Sequence, residues 1–255
     1  MTQLLVETEY TPPIAKIAIN RPEVLNAYTK DVLDVFENKL KELLEDEKID
    51  AVIITGKGRK AFTVGADIDW IETLDSDQAK ELSKQGQRIC NLIENTPKVV
   101  IAAINGYSLG GGLELALACD LRVASTRARF GQPEVKLGIV PGFDGTQRLP
   151  ELIGVGRAKE IMFTGDIFDA SQAYEIGLVN KVATPRDLIE ESKKLAYQIA
   201  EQSSHAVALI KDVINYGCNK NRCENSDYET DAFSACFKDE EHLKRIHKIQ
   251  DMISS

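Results

Sequence analysis

The sequence predicts an α/β fold built on parallel strands, and three observations carry that expectation. Short, almost wholly apolar runs at residues 49–55 and 99–104 have the pattern of strands buried on both faces, and a further strand reads at 121–125. Between them lie stretches whose apolar residues recur at helical spacing. The two patterns alternate over the first two thirds of the 255-residue chain, as crossover helices between parallel strands require.

Taken in order, residues 15–20 read as a short strand. Residues 29–46 read as an amphipathic helix, because Val32, Val35, Phe36, Leu40, Leu43 and Leu44 fall on one face. IDAVIIT at 49–55 is a buried strand, and GKGRKAFTVGADID at 56–69 reads as a loop of glycines and small residues. Residues 75–94 are charged and mostly helical. A strand at 99–104, a turn at 105–112, a short apolar helix at 113–119 and a strand at 121–125 follow. Helices dominate from Arg157, broken by a strand at 178–182. From about residue 186 the chain reads as helical, with a polar loop at 218–230, and this part carries all three histidines, His205, His242 and His247. The expected division is therefore a core at 1–185 and a helical region at 186–255.

Composition narrows the function classes. With 43% hydrophobic and 28% charged residues, the chain falls among globular proteins. A net charge of −9 argues against a broad nucleic-acid surface, which needs clustered Lys and Arg. The five cysteines, Cys90, Cys119, Cys218, Cys223 and Cys236, form no CxxC pair, so reduced thiols in a cytoplasmic protein are expected. The first residues have no basic segment before an apolar core, so no targeting peptide is expected. No apolar run approaches the ~20 residues of a membrane span. No metal site is expected.

Three stretches can carry chemistry. In IAAINGYSLGGGLELALACD, residues 101–120, a buried strand turns into a helix through three glycines. Glycine lets the backbone come close to a ligand, and the free N–H groups of a helix start suit negative charge. Glu114 follows in the first turn. It either complements the helix dipole or, in a helix of Leu and Ala, is a buried carboxylate that needs a reason. In ARFGQPEVKLGIVPGFDGTQR, residues 128–148, Glu134 precedes a Gly/Pro-rich loop; alone it reads as a solvated loop acid. In AFTVGADID, residues 61–69, small residues follow a buried strand, which says only that the backbone is exposed or crowded there.

Together with NRPEVLNA at 20–27, these motifs resemble the crotonase (enoyl-CoA hydratase/isomerase) superfamily over residues 15–182. The resemblance implies a crotonase-like spiral of ββα turns with a C-terminal helical trimerisation region, assembled as a homotrimer or dimer of trimers. It implies an oxyanion hole at the backbone N–H groups of Ala66 and Gly111, holding the thioester oxygen as it gains enolate charge. One such donor is worth ~3–4 kcal/mol. It implies that Ala66, Asp67, Ile68 and Asp69 hold the adenine end of CoA and that Asn26 and Ala27 line the CoA channel.

The hydratase branch has glutamates at the positions of Glu114 and Glu134. Adding water to a 2-enoyl-CoA takes a proton from water and gives one to Cα, so two carboxyl groups in complementary protonation states can do both. By analogy Glu134 exchanges the Cα proton and Glu114 orients and deprotonates the water. No cofactor is implied, since CoA is part of the substrate. A Δ3,Δ2-enoyl-CoA isomerase of the same fold needs only one such group, and a Glu114→Gln variant with intact turnover would favour it.

Two rivals lie outside the enzyme reading above. GYSLG at 106–110 matches G-x-S-x-G after a strand and before a helix, as in serine hydrolases; the three histidines of the helical tail are its only candidate bases. A crotonase-fold RNA-binding scaffold is disfavoured by the acidic balance and the carboxylate pair. The run Pro141-Gly-Phe-Asp-Gly145 departs from the family, which has glycine in place of Asp144. Asp144 reads either as a turn acid in solvent, or as a third carboxylate that adjusts specificity or the pKa of a catalytic Glu by like-charge repulsion.

Overall fold

The computed structural model describes residues 4–217, 222–238 and 240–254. The chain opens on a hairpin, β1 (Val6–Thr11) and β2 (Ile14–Ile19), then enters helix α1 (Lys30–Glu45). Thr29 starts that helix by accepting from the Val32 amide at 3.4 Å, which satisfies one orphan donor of the first turn. Strand β3 (Ala51–Gly56) leads to β4 (Ala61–Thr63), and short helix α2 (Ile68–Glu72) precedes α3 (Ser76–Asn95). Asp75 and Gln78 form a capping box at the start of α3. Strands β5 (Val99–Ile104) and β6 (Tyr107–Leu109) precede α4 (Gly111–Ala118), and β7 (Leu121–Ser125) and β8 (Arg129–Gly131) precede a 3-10 turn at Pro133–Leu137. Then come α5 (Gly145–Ile153), α6 (Val155–Thr164), β9 (Phe168–Asp169), α7 (Ala170–Glu175) and β10 (Lys181–Ala183). Helices α8 (Leu188–Ala200), α9 (Ser204–Gly217), α10 (Arg222–Ala235) and α11 (Glu241–Ser254) end the chain.

The main sheet runs β1-β2-β3-β5-β7-β10, and the second sheet runs β4-β6-β8-β9. From β2 to β10 the main sheet is parallel. The pairs β3/β4, β5/β6 and β7/β8 each give one strand to each sheet before the chain turns into helix, which is the ββα spiral. Every residue of β3 and β5 is buried, as their unbroken apolar runs predict.

Several elements differ from the expectation. Residues 56–69 are not one loop: they contain β4 and the start of α2. Residues 105–112 contain β6 and the first two residues of α4. These three-residue strands are too short to show a period of two. Strand β1 escapes because only Val6 is buried along it. The strand expected at 178–182 is β10, which starts at Lys181, while Leu178 and Val179 are buried before it. The expected loop at 218–230 is helical from Arg222; residues 218–221 lie outside the described residues. Packing overrides weak propensity in α10: Tyr228 stacks on Tyr216 at 3.9 Å between ring centroids and donates to Asp212 of α9. Cys90, Cys119 and Cys236 are free thiols, while Cys218 and the Cys223 side chain lie outside the described residues.

Apolar cores cover both faces of the main sheet. One face packs Ile17, Ile19, Val52, Ile54, Val100 and Ile104 against α1, α3 and α4. The other packs Ile14, Ile53, Ile101 and Val123 against Leu188 and Ala196 of α8. The first helix after residue 185 thus completes the core rather than standing apart from it.

Lys211 fastens α9 to the sheet. Its Nζ donates to the Ile93 and Lys98 carbonyls at 2.9 and 3.0 Å and to Asp120 Oδ2 at 2.9 Å. Asp120 also accepts from the Val100 amide. Removing one member of a buried pair leaves the other charge uncompensated. Lys211→Met is expected to cost about 3 kcal/mol, read from the urea midpoint; a loss under ~1 kcal/mol would show that solvent screens the pair.

Candidate active site

Gly110 is the N-cap of helix α4, and its φ of 53° suits glycine. All of α4 after Gly111 is buried, and Glu114 is 1% exposed in its first turn. Its Oε1 accepts from the Phe143 amide at 2.8 Å and the Gly145 amide at 2.7 Å. Burial pushes its pKa up to about 7, opposed by the Gly145 and Phe143 amides and reinforced by the charge of Asp144.

Glu134 sits in the 3-10 turn after β8 and is 8% exposed. The expectation of a solvated loop acid is overturned by that burial. Gln132 is fully buried beside it. With its amide oriented to satisfy the network, Gln132 donates to both carboxylate oxygens of Glu134, at 2.9 and 3.0 Å. Burial pushes Glu134 up to about 7, and the charge of Glu114 adds to that. A side chain at Gly110 would place its Cβ 2.9 Å from Glu134 Oε1, so glycine there makes room for the carboxylate.

Both carboxyl groups line one cavity of about 780 Å³, within the range of sites for small-molecule ligands. Ala27, Ala66, Asp67, Ile68, Gly111 and Asp144 line it too, as do Phe143, Gln87 and Ser83. The loop before α2 meets the start of α4 closely: a Cβ on Gly65 would lie 2.8 Å from the Gly111 nitrogen. A parallel bridge joins Tyr28 to Ala66 through the Tyr28 and Asp67 amides, which leaves the Ala66 amide outside it. Gly111 carries the first amide of α4, one of those a helix leaves without an internal acceptor.

Two expected site residues lie elsewhere. Asn26 is fully buried and does not line the cavity. Its Oδ1 accepts from the Arg21 amide, and its Nδ2 donates to the Lys57 and Ala61 carbonyls. At a φ of 59° it pins the loop beside Ala27. Asp69 is exposed on α2, outside the lining. Asp67 is held by Arg21 Nη1 at 3.2 Å. Ser83 and Gln87 gave no sequence signal, because α3 reads as a charged surface helix; one turn apart, they share its cavity-facing side.

Ser108 is fully buried and donates to the Gly112 carbonyl at 3.1 Å, while His205 and His247 are exposed on the tail helices. The G-x-S-x-G match is therefore a packing feature. Ser108→Ala is expected to keep turnover and lose about 1 kcal/mol of stability; loss of activity with an intact fold would revive the hydrolase reading. No cluster of three metal-ligating side chains occurs among the described residues, and none of their helices is long and apolar enough to cross a membrane.

The enoyl-CoA hydratase/isomerase family model matches residues 9–249. The chain belongs to that family. It is 46% identical to the crotonyl-CoA hydratase of Syntrophomonas wolfei, over 88% of this chain and 86% of that one. It is 42% identical to the short-chain-enoyl-CoA hydratase of Clostridium acetobutylicum, over 89% and 87%. The crystal structure of an enoyl-CoA hydratase from Bacillus anthracis superposes with a TM-score of 0.94 at 36% identity, over 98% of this chain and 97% of that one. The ββα spiral with its helical C-terminal region is thus the family's fold.

Proposed function

We propose that the protein is an enoyl-CoA hydratase that adds water reversibly, in syn fashion, to a short 2-enoyl-CoA to give the 3-hydroxyacyl-CoA. The observation that carries this reading is the pair of buried carboxyl groups, Glu114 and Glu134, on one cavity with both pKa values pushed up to about 7. Near neutral pH one can hold a proton while the other lacks it. Water loses a proton to Glu114 as its oxygen attacks Cβ, and Glu134 delivers a proton to Cα. Between these events the charge on the thioester oxygen is met by the Ala66 and Gly111 amides, fixed donors that need no reorganisation. Double-bond isomerisation needs only one such group, so the pair favours hydration.

The names of the two relatives support a short acyl chain. Exposed Ile210, Ile214, Phe233, Ile249 and Ile253 on α9, α10 and α11 support the homotrimer or dimer of trimers that the resemblance implies, since such apolar surface favours association. CoA as the thiol carrier and a cytoplasmic location belong to the same reading. The test is a panel of linear and cyclic enoyl-CoA thioesters assayed for water addition. Hydration of crotonyl-CoA is the expected result, and a panel with no hydrated member would overturn the reading.

A further inference from the structure

Asp144 is the N-cap of α5 and adopts a left-handed conformation, φ 68° and ψ 22°, without a side-chain capping bond. Left-handed backbone costs most side chains roughly 1–2 kcal/mol, and Asp and Asn bear it better than others. Such an outlier at a site calls for a physical reason. Its side chain is not free in solvent: Oδ1 accepts from Gln87 Nε2 of α3 at 3.0 Å, and Oδ2 lies 3.8 Å from Arg148 Nη1. Ser83, one turn earlier on α3, donates to the Gly142 carbonyl at 2.6 Å. Helix α3 therefore holds the 142–144 turn at two points. The residues on either side of Asp144 are Phe143 and Gly145, whose amides both donate to Glu114 Oε1.

We propose that Asp144 is a positioning residue for hydration: it ties the turn that holds Glu114 to α3 and sets a fixed negative charge against that carboxyl. The charged and titratable groups around Glu114 are few. Glu134 faces it from the 3-10 turn, Asp144 from the start of α5, Cys90 from α3 and Tyr28 from the loop before α1. Burial pushes the Cys90 thiol and the Tyr28 hydroxyl well up, so both are neutral near pH 7. The Arg148 guanidinium donates to the Phe143 carbonyl, Asn91 and Glu94 and lies 3.8 Å from Asp144 Oδ2. Burial is the main cause that raises Glu114, and the charge of Asp144 adds to it.

The kinetic arm of the test rests on the hydratase reading; a spectroscopic arm does not. Asp144→Asn keeps tolerance for the left-handed backbone and an acceptor for Gln87, but removes the charge. The acid limb of the kcat–pH profile should move down by about half a pH unit. Gln87→Ala removes the tether on Asp144, leaves the one from Ser83 to Gly142, and keeps the charge. It should lower kcat about three- to tenfold, through misplacement of Glu114, without moving the limb. A limb unmoved in Asp144→Asn, or a Gln87→Ala variant at full kcat, would overturn the proposal. The same titration can be followed without turnover, from the Glu114 carboxyl infrared band assigned with Glu114→Gln. An unshifted band in Asp144→Asn would sink the proposal even if the substrate were another thioester. A shifted band with no hydration by the wild type would uphold the action of Asp144 on Glu114 and sink the hydratase reading instead.

Discussion

Glu134→Gln is expected to lower kcat for crotonyl-CoA hydration by roughly 10²–10⁴-fold with KM changed only a few-fold, the usual weight of a general acid–base group. The substitution keeps shape and a hydrogen-bonding oxygen for Gln132, and removes only the transferable proton. Turnover is measured by loss of the enoyl-thioester absorbance; a drop of less than tenfold would show that Glu134 does not exchange the proton. Glu114→Gln should fall by a similar factor, and its stability carries a second, opposite sign. A carboxyl raised from 4.5 to about 7 on folding binds its proton more tightly in the folded chain. Its contribution to stability is full below about pH 4.5 and is lost as pH rises through about 7. The variant, which cannot ionise, should therefore gain on the wild type by on the order of 3 kcal/mol between pH 4.5 and pH 8. Urea unfolding at the two pH values reads this directly. Parallel behaviour of the two proteins would mean that Glu114 is not held in a raised state.

Gly112→Ala is expected to destabilise the fold by at least ~3 kcal/mol and to abolish turnover. A Cβ at Gly112 would lie 2.0 Å from the Thr63 carbonyl oxygen and 2.8 Å from its carbon. That obstacle is backbone of β4, so no rotamer change relieves it, and overpacking with backbone shift carries costs of this order. Helix α4 would have to move off β4, taking the Gly111 amide away from the Ala66 loop and Glu114 away from the 143–145 amides. Gly156→Ala is the control: nothing lies within 4 Å of its Cβ, and alanine should match or improve stability by up to about 1 kcal/mol in that helix. Thermal denaturation of the two variants separates close backbone approach from a general cost of replacing glycine.

The contrast between these glycines also marks what could be read in advance. The glycine run ahead of Glu114 signals a close approach, but not that Gly112 meets Thr63 while Gly110 makes room for Glu134. Glu134 looked like a loop acid because proline and glycine surround it; in the fold its carboxylate lies buried beside Gly110 and Gln132. Asn26 belonged to a recognisable motif, yet its hydrogen bonds go to Arg21, Lys57 and Ala61. Gln87 and Ser83 belong to a helix whose charged residues hid its cavity-facing side.

The sequence by itself determined the parallel α/β order, the buried strands β3 and β5, the apolar α4 helix with one acid in its first turn, and, through its motifs, the family. These are properties of local period and composition, which a strand or helix carries wherever it packs. Only the tertiary structure decided that Glu114 and Glu134 share one cavity, that Asn26 is consumed by the backbone, and that Asp144 stands between the two amides that hold Glu114. Those facts depend on where distant segments meet. The meeting is set by the spiral that stacks β4, β6 and β8 and lays α3 against the 142–145 turn, and no local pattern along the chain encodes it.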